Sequence, residues 1–249
     1  LCGETDPPSE SSATMNLILL FDDDFISERR VRLTGRRLRH CLEVHRAEVG
    51  DSLRVGKIDG LLGSGRIVAL AAEQMELEVR LDQPPPAALP CTLLLALPRP
   101  KMLKRVLQCV TALGVKQIYL INSYRVEKSF WSSPLLQPEK LREQLLLGLE
   151  QARDTILPQL QLRPRFKPFV EDQLPQLAAA GAAFVAHPVA AADCPRGCSG
   201  PLTLAIGPEG GFIPYEVAKF QECGFVPISL GERILRVETA VPVLLGRLF

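Results

Sequence analysis

The stretch Leu204–Phe212 reads Leu-Ala-Ile-Gly-Pro-Glu-Gly-Gly-Phe. A short apolar run that stops at Gly207 predicts a buried strand, and Gly210 and Gly211 predict a tight loop in which the backbone comes close to a ligand. Immediately afterwards, Pro214 suits the first turn of a helix. The stretch therefore predicts a strand, a glycine loop with free backbone N–H groups, and a helix.

A second stretch follows the same plan. Ser229–Ala240 reads Ser-Leu-Gly-Glu-Arg-Ile-Leu-Arg-Val-Glu-Thr-Ala. Pro227–Leu230 predicts a strand, Gly231 the loop, and Thr239 the cap of a final helix that runs through Leu248. Taken alone, each loop is more typical of an ordinary strand-to-helix turn. Two such loops close together in the sequence favour a binding site.

The sequence upstream of these loops predicts an α/β domain. Cys91–Leu97 is a continuous apolar run, apolar residues then recur at helical spacing over Met102–Leu113, and Gln117–Asn122 predicts another strand. Strand, helix and strand without a hairpin turn indicate a parallel crossover. A further helix begins at Pro138.

Two more strands are predicted in this domain, at Ala183–Ala186 and Leu202–Ile206. Parallel strands present their carboxyl ends to one crevice of the sheet. We therefore expect the loops at His187, Gly207 and Gly231 to converge there.

The first third of the chain has a different pattern. Short strands separated by turn residues predict a small β-barrel, and one basic helix, Arg36–Val44, lies between the first two strands. Gln83–Pro90 contains four prolines and predicts an extended linker. The strands of this barrel are predicted at Leu17–Phe21, Ser52–Ile58, Gly65–Leu70 and Met75–Leu81.

These patterns define the expected domains. Residues 1–14 are rich in Pro, Ser and Glu and precede Met15, which is typical of a natural start, so we expect a disordered extension there. We expect the β-barrel domain over residues 15–83, the Pro-rich linker over residues 84–90, and the α/β domain over residues 91–249.

The charge distribution indicates which partners to expect. The net charge is only +1, yet Ile26–Arg46 holds seven arginines against two glutamates, and Arg99–Lys128 holds seven basic residues against one acid. On charge alone, the first tract is as typical of a solvated surface as of an RNA-binding face. No apolar run is long enough to span a membrane.

Seven cysteines at no regular spacing do not predict a secreted disulfide framework, and they fit a reducing cytoplasm. Cys194 and Cys198 lack a second pair at metal-ligand spacing, so we expect no metal. The chain also lacks G-x-x-x-x-G-K-[ST] and G-x-G-x-x-G, which argues against ATP hydrolysis and dinucleotide chemistry. The glycine loops therefore need another ligand.

The motifs at residues 207–212 and 230–240 resemble those of the bacterial 16S ribosomal RNA uridine N3-methyltransferase family of the SPOUT superfamily. The resemblance covers residues 15–249. It implies a parallel sheet flanked by helices and tied in a trefoil knot, with loops that hold S-adenosylmethionine. It also implies an amino-terminal PUA-like barrel that helps to hold the RNA.

The resemblance assigns site residues. The implied cofactor residues are Gly207, Glu209, Gly210, Gly211, Leu230, Gly231, Ile234 and Leu235, and His187 joins them by its position after a neighbouring strand. A loop histidine without a role is the favoured explanation of His187. The implied RNA contacts are Arg36, Arg37, Arg39, Arg99 and Lys101. S-adenosylmethionine carries no phosphate, so glycine loops and apolar side chains suit its adenosine.

The candidate catalytic residues are Arg153, Arg236 and Glu209, because a positive donor near O2 or O4 stabilises a developing uridine anion. An ion pair at a helix end or in a loop explains each arginine equally well. The chain also departs from the family here, since Gln151-Ala152-Arg153 places the arginine one position earlier than the usual Gln-x-x-Arg. Ala112 replaces the glutamate that is usual before Leu-Gly-Val.

The sequence thus predicts a cytoplasmic homodimer that transfers a methyl group from S-adenosylmethionine to N3 of a uridine in 16S ribosomal RNA of the small ribosomal subunit. The alternatives are a non-catalytic RNA-binding protein with the SPOUT fold and a SPOUT methyltransferase with another target base.

Overall fold

A computed structural model describes residues 16–190 and 192–249, so the extension predicted for residues 1–14 and Met15 lie outside the described residues. The chain divides into two compact units. The first contains the described residues up to Pro86 together with Leu149–Leu157, and the second contains Ala87–Gly148 and Pro158–Phe249.

The first unit is built on a six-stranded sheet in the order β1-β4-β5-β6-β3-β2. Strand β1 runs parallel to β4, and the other neighbours are antiparallel. Helix α1, Gly35–His45, follows the third strand. The strands are β1 Ile18–Leu20, β2 Phe25–Ser27, β3 Arg30–Leu33, β4 Ser52–Lys57, β5 Leu62–Leu70 and β6 Met75–Gln83.

Strands β2 and β3 were not predicted. β2 is only three residues long, and in β3 the arginines hide the alternation of inward and outward side chains. In β3, Val31 and Leu33 are fully buried while Arg30 and Arg32 are exposed. The core between sheet and helix is apolar throughout. It is formed by Ile18, Leu20, Val31, Leu33, Leu38, Cys41, Ala47, Leu53, Val55, Ile67, Met75, Leu77 and Val79.

The second unit contains a seven-stranded sheet in the order β11-β13-β10-β12-β7-β8-β9, and every neighbouring pair is parallel. This confirms the predicted α/β class. Strands β9 and β11 were not predicted. The strands are β7 Leu89–Ala96, β8 Val115–Ile121, β9 Gln159–Arg163, β10 Ala182–Ala186, β11 Ala192–Asp193, β12 Leu202–Ile206 and β13 Val226–Ser229.

Helices α2 to α6 lie between these strands and α7 follows the last of them; α4 and α5 were not predicted. The helices are α2 Pro100–Ala112, α3 Pro138–Ala152, α4 Phe166–Asp172, α5 Leu174–Ala179, α6 Pro214–Glu222 and α7 Val237–Leu248. The predicted cap at Thr239 is wrong. Helix α7 begins at Val237 with Arg236 as N-cap, and the N–H of Thr239 donates to the carbonyl of Arg236.

Helix α7 buries more of its apolar residues within the protein itself than its sequence indicates. Val241, Leu244, Leu245 and Leu248 are at most 2% exposed, and the helix packs against α2. Val243 is the large apolar residue that stays 43% exposed on this helix. Among the described residues, no helix combines the length and the apolar character needed to cross a membrane.

Candidate functional site

Three loops begin side by side at the carboxyl edge of the seven-stranded sheet. Ala186, the last residue of β10, is in register with Ile206 on β12 and with Ile228 on β13. Because these strands are parallel neighbours, the chain leaves each of them on the same edge. The loops that follow at His187, Gly207 and Leu230 therefore converge, as the sequence predicted.

The converging loops enclose a cavity of about 360 Å³. Its volume lies within the usual range for small-molecule sites. The structure brings together all the residues that the sequence assigned to the cofactor: His187, Gly207, Glu209, Gly210, Gly211, Leu230, Gly231, Ile234 and Leu235. Apolar side chains from Ile206, Ile228, Val237, Ala240 and Leu244 complete the walls.

Three positions in the cavity wall require glycine, for different structural reasons. A Cβ on Gly207 would lie 2.9 Å from the backbone nitrogen of Phe212, so the loop folds back on itself too closely for any side chain. Gly211 and Gly231 have positive φ angles of 70° and 100°, and a Cβ on either would extend into open space. Only glycine adopts such angles without strain. These positions leave room beside the backbone for a ligand.

Two carboxylates hold the first glycine loop. Glu209 lines the cavity, and its Oε1 accepts a hydrogen bond of 3.1 Å from the backbone N–H of Arg99, at the start of α2. Glu216, on the first turn of α6, is only 2% exposed. Its Oε2 accepts from the N–H of Ile213 at 3.0 Å, so the carboxylate also stabilises the end of the loop.

Sequence reasoning missed two arginines of the cavity. Arg125, four residues beyond the end of β8, and Arg233, in the loop after Gly231, both line it. The same lining includes Glu209 and the half-buried His187. The position of Arg125 after a strand of the same parallel sheet was the available signal, because that strand also ends at the edge where the loops converge.

The predicted catalytic arginines are placed differently. Neither Arg153 nor Arg236 is among the residues that line the cavity. Arg153 ends α3 in the left-handed conformation, with φ 55°, and the N–H of Asp154 donates to the carbonyl of Leu149. This is a helix C-terminal motif in which glycine is the usual residue. The backbone of Arg236 caps α7.

The predicted RNA-binding arginines also divide into two groups. Arg37 makes a two-pronged ion pair with the buried Asp24, at 2.5 and 2.6 Å, and donates to the carbonyl of Leu19 at 2.8 Å. Its guanidinium lies 4.9 Å from the centroid of the Phe21 ring. Arg37 therefore has a structural role in the first unit, which its position in a basic tract did not indicate.

The other basic residues are more accessible. Arg36 pairs with Glu150 at 2.6 Å but keeps 56% of its side chain exposed. Arg39, Arg99 and Lys101 are exposed. Among the described residues, no group of three His, Cys, Asp or Glu side chains is placed to hold a metal ion.

The chain is similar to RNA methyltransferases over most of its length. Residues 85–248 match the family model described as an RNA methyltransferase domain. The chain is 30% identical to ribosomal RNA small subunit methyltransferase E of Treponema pallidum, over 91% of this chain and 87% of that protein. It is 28% identical to the protein of the same name from Synechocystis, over 96% and 79%.

A solved structure shows the same fold. The ribosomal RNA small subunit methyltransferase E of Neisseria gonorrhoeae, bound to S-adenosyl methionine, superposes with a TM-score of 0.73 at 22% identity and covers 93% of this chain and 95% of its own. Because the family model spans most of the sequence and a relative at 30% identity spans nearly all of it, the chain belongs to the RNA methyltransferase family, with the ribosomal RNA small subunit methyltransferase E proteins as its relatives.

Proposed function

We propose that this protein methylates N3 of a uridine in 16S ribosomal RNA, with S-adenosylmethionine as the methyl donor. The observation that carries the proposal is the cavity in which the eight residues assigned from the family motifs meet His187. Membership of the RNA methyltransferase family supports the reaction class. The uridine N3 position comes from the family that the two motifs resemble.

The residues of the cavity fit S-adenosylmethionine. Ile206, Ile228 and Leu244 offer apolar surface for an adenine ring, and the glycine loops bring backbone N–H and carbonyl groups close to its polar edges. Because Gly211 and Gly231 carry no side chain, the space beside their backbone is open to the ligand. Bound there, S-adenosylmethionine would supply an electrophilic methyl group, and the residues of the cavity would hold it against N3 of uridine, whose proton leaves to solvent.

The protein contributes position and charge to this reaction. Uridine N3 is protonated at neutral pH and is normally base-paired, so the base must leave its pair before it reaches the cavity. Alignment of the two reactants in a fixed site lowers the barrier. A guanidinium near the uracil oxygens stabilises negative charge as the N3 proton is lost. Glu209, which the sequence assigned to catalysis, lines the same cavity.

We extend the proposal to the features that the family resemblance implies. These are a trefoil knot in the second unit, a PUA-like barrel in the first, a homodimer and a cytoplasmic location. The proposed dimer rests mainly on the resemblance. On α7, Val243 is exposed and offers apolar surface to a second copy, whereas Leu244, Leu245 and Leu248 are buried within the protein itself. Sedimentation at micromolar protein concentration tests the dimer, and a monomeric mass would contradict it.

Methyl transfer itself is tested with small ribosomal subunits and naked 16S RNA from a strain that lacks the modification. The protein is incubated with labelled S-adenosylmethionine, and the nucleosides are analysed by mass spectrometry. We expect 3-methyluridine. Binding of RNA without transfer of label would favour a non-catalytic RNA-binding protein, and label on another base would favour a methyltransferase with a different target.

A further inference from the structure

A tight turn lies between the end of β8 and the cavity. In this turn, Ser123–Val126, the N–H of Val126 donates to the carbonyl of Ser123 at 3.1 Å. The two outer residues are buried, with 3% of Ser123 and 7% of Val126 exposed. The two central residues, Tyr124 and Arg125, are exposed. The turn is therefore anchored at both ends and presents two side chains.

Glu216 fixes this turn to the first glycine loop. One carboxylate oxygen accepts from the N–H of Tyr124 at 2.7 Å, and the other accepts from the N–H of Ile213 at 3.0 Å. Hydrogen bonds to a charged and buried carboxylate are among the stronger ones in proteins. A single side chain thus sets the distance between the turn and the loop at residues 207–213.

Arg125 extends from the turn to the cavity. Its Nη1 donates to the carbonyl of Gly210, and its Cδ lies 2.9 Å from the position that a Cβ on Gly210 would take. A guanidinium has five N–H donors in one plane. Arg125 makes no other hydrogen bond or ion pair with a described residue. Its remaining donors are consequently available to an anion at the cavity wall.

Tyr124 is the companion of Arg125 in the turn. Tyr124 is 80% exposed, close to the 82% of Val189 and of Ile234. An exposed aromatic ring beside a basic residue is the arrangement that stacks an unpaired base of RNA.

We propose that the Ser123–Val126 turn receives the unpaired uracil of the RNA substrate, with Tyr124 stacking on the base and Arg125 donating hydrogen bonds to the uracil oxygen that becomes negative as N3 loses its proton. Glu216 is the positioning residue that holds the turn in place. The inference rests on the methyl transfer proposed above and assigns the cation of that reaction to Arg125.

The buried hydroxyl of Ser123 is consistent with this role. Its Oγ has no hydrogen-bond partner among the described residues. An unsatisfied buried hydroxyl costs about 1–3 kcal/mol. Such a group is uncommon in a folded protein, so the turn keeps a hydroxyl that lowers the stability of the fold.

The main test compares Arg125→Ala and Arg125→Lys with Lys128→Ala as a control. Lys128 is exposed, lies three residues further along and does not line the cavity. Single-turnover methylation by Arg125→Ala should fall by about a hundredfold or more, the loss expected for one preorganised donor. Arg125→Lys should recover part of the rate. Cofactor affinity, measured by calorimetry, should stay within about twofold for Lys128→Ala and should fall far less than the methylation rate for the two Arg125 variants.

A second RNA tests whether Arg125 acts on the uridine anion. RNA transcribed with 5-fluorouridine has a more acidic N3, so less stabilisation of the anion is needed. The deficit of Arg125→Ala should shrink to about tenfold or less on this RNA. Tyr124→Ala should raise the KM for RNA by about tenfold or more, and Tyr124→Phe, which keeps the ring, should rescue most of that loss.

Glu216→Gln tests the positioning role, because an amide oxygen can accept from one backbone N–H while its NH₂ group faces the other. This variant should lose rate, and combining it with Arg125→Ala should cause little further loss. Wild-type transfer by Arg125→Ala, or an equal deficit on both RNAs, would overturn the inference. A wild-type protein that transfers no methyl group would overturn the proposed function and this inference together.

Discussion

The ring of Phe212, at the end of the first glycine loop, packs on the ring of Phe220 with their centroids 5.0 Å apart. Phe220 is fully buried and also contacts Phe225 at 5.2 Å and Phe166 at 6.0 Å. The aromatic side chain of Phe212 therefore attaches the end of this loop to the core, in addition to the hydrogen bonds that hold the loop. Loss of that side chain affects stability and the shape of the cavity together.

Phe212→Ala should lower the free energy of unfolding by about 3–5 kcal/mol. It should also weaken S-adenosylmethionine binding, because the loop loses its anchor. Phe225→Ala is the matched control, since it removes a neighbour of the same Phe220 ring outside the loop. The control should lose similar stability and keep its cofactor affinity. Chemical denaturation and calorimetry measure the two quantities, and equal affinity losses in both variants would contradict the prediction.

Gly231→Ala should abolish or strongly weaken cofactor binding, because its Cβ enters the open space beside the backbone at a φ of 100°. Gly224→Ala is the control. Gly224 has a similar φ of 92°, also faces open space, and lies outside the cavity wall. Both variants should lose about 1 kcal/mol of stability from the strained backbone. Unchanged cofactor affinity in Gly231→Ala would place the ligand elsewhere.

Arg37→Ala should destabilise the first unit by about 2–4 kcal/mol, because it leaves the buried carboxylate of Asp24 without its partner. Arg39→Ala should change stability little, since Arg39 is exposed and makes no ion pair with a described residue. If Arg39 contacts a phosphate, its removal should reduce the slope of log affinity against log salt by about one. Denaturation midpoints and RNA titrations at several salt concentrations separate these effects.

Arg153→Gly should leave the stability unchanged or raise it by up to about 1 kcal/mol, because glycine relieves the left-handed φ of 55° while the contacts of the arginine are lost. Arg153→Ala keeps the strain and loses the same contacts, so it should be the less stable of the two. With the reactive cation assigned to Arg125, both variants should methylate RNA normally. A hundredfold loss in both would identify Arg153 as catalytic.

Stability should fall as the pH rises above about 9. Burial raises the pKa of the Cys41 thiol from 9.0 to about 11 and that of the Cys91 thiol to about 12. Between these values the unfolded chain loses thiol protons that the folded protein retains, so the free energy of unfolding decreases with pH. A Cys41→Ala/Cys91→Ala variant should lose this part of the slope. A slope identical to the wild type would contradict the prediction.

The sequence by itself determined the features that depend on neighbouring residues. Apolar runs that stop at glycine located β12 and β13, and the strand-helix-strand pattern before them indicated a parallel sheet. Because parallel neighbours end on one edge, the sequence also predicted that the loops at His187, Gly207 and Gly231 converge. Thr239 shows where local signals fail, because the helix begins earlier than its cap-like residue predicts and Arg236, three residues before Thr239, is the N-cap.

Only the tertiary structure decided which charged residues meet the cavity. The contacts of Glu216 with Tyr124 and of Arg125 with Gly210 join residues 92 and 85 positions apart, and no local pattern encodes such a distance. For the same reason, a basic helix did not indicate that Arg37 is held by Asp24. Local preferences determine where strands and glycine loops form. The role of a long charged side chain depends instead on the backbone groups and carboxylates that lie near it in the folded protein, and these come from distant parts of the sequence.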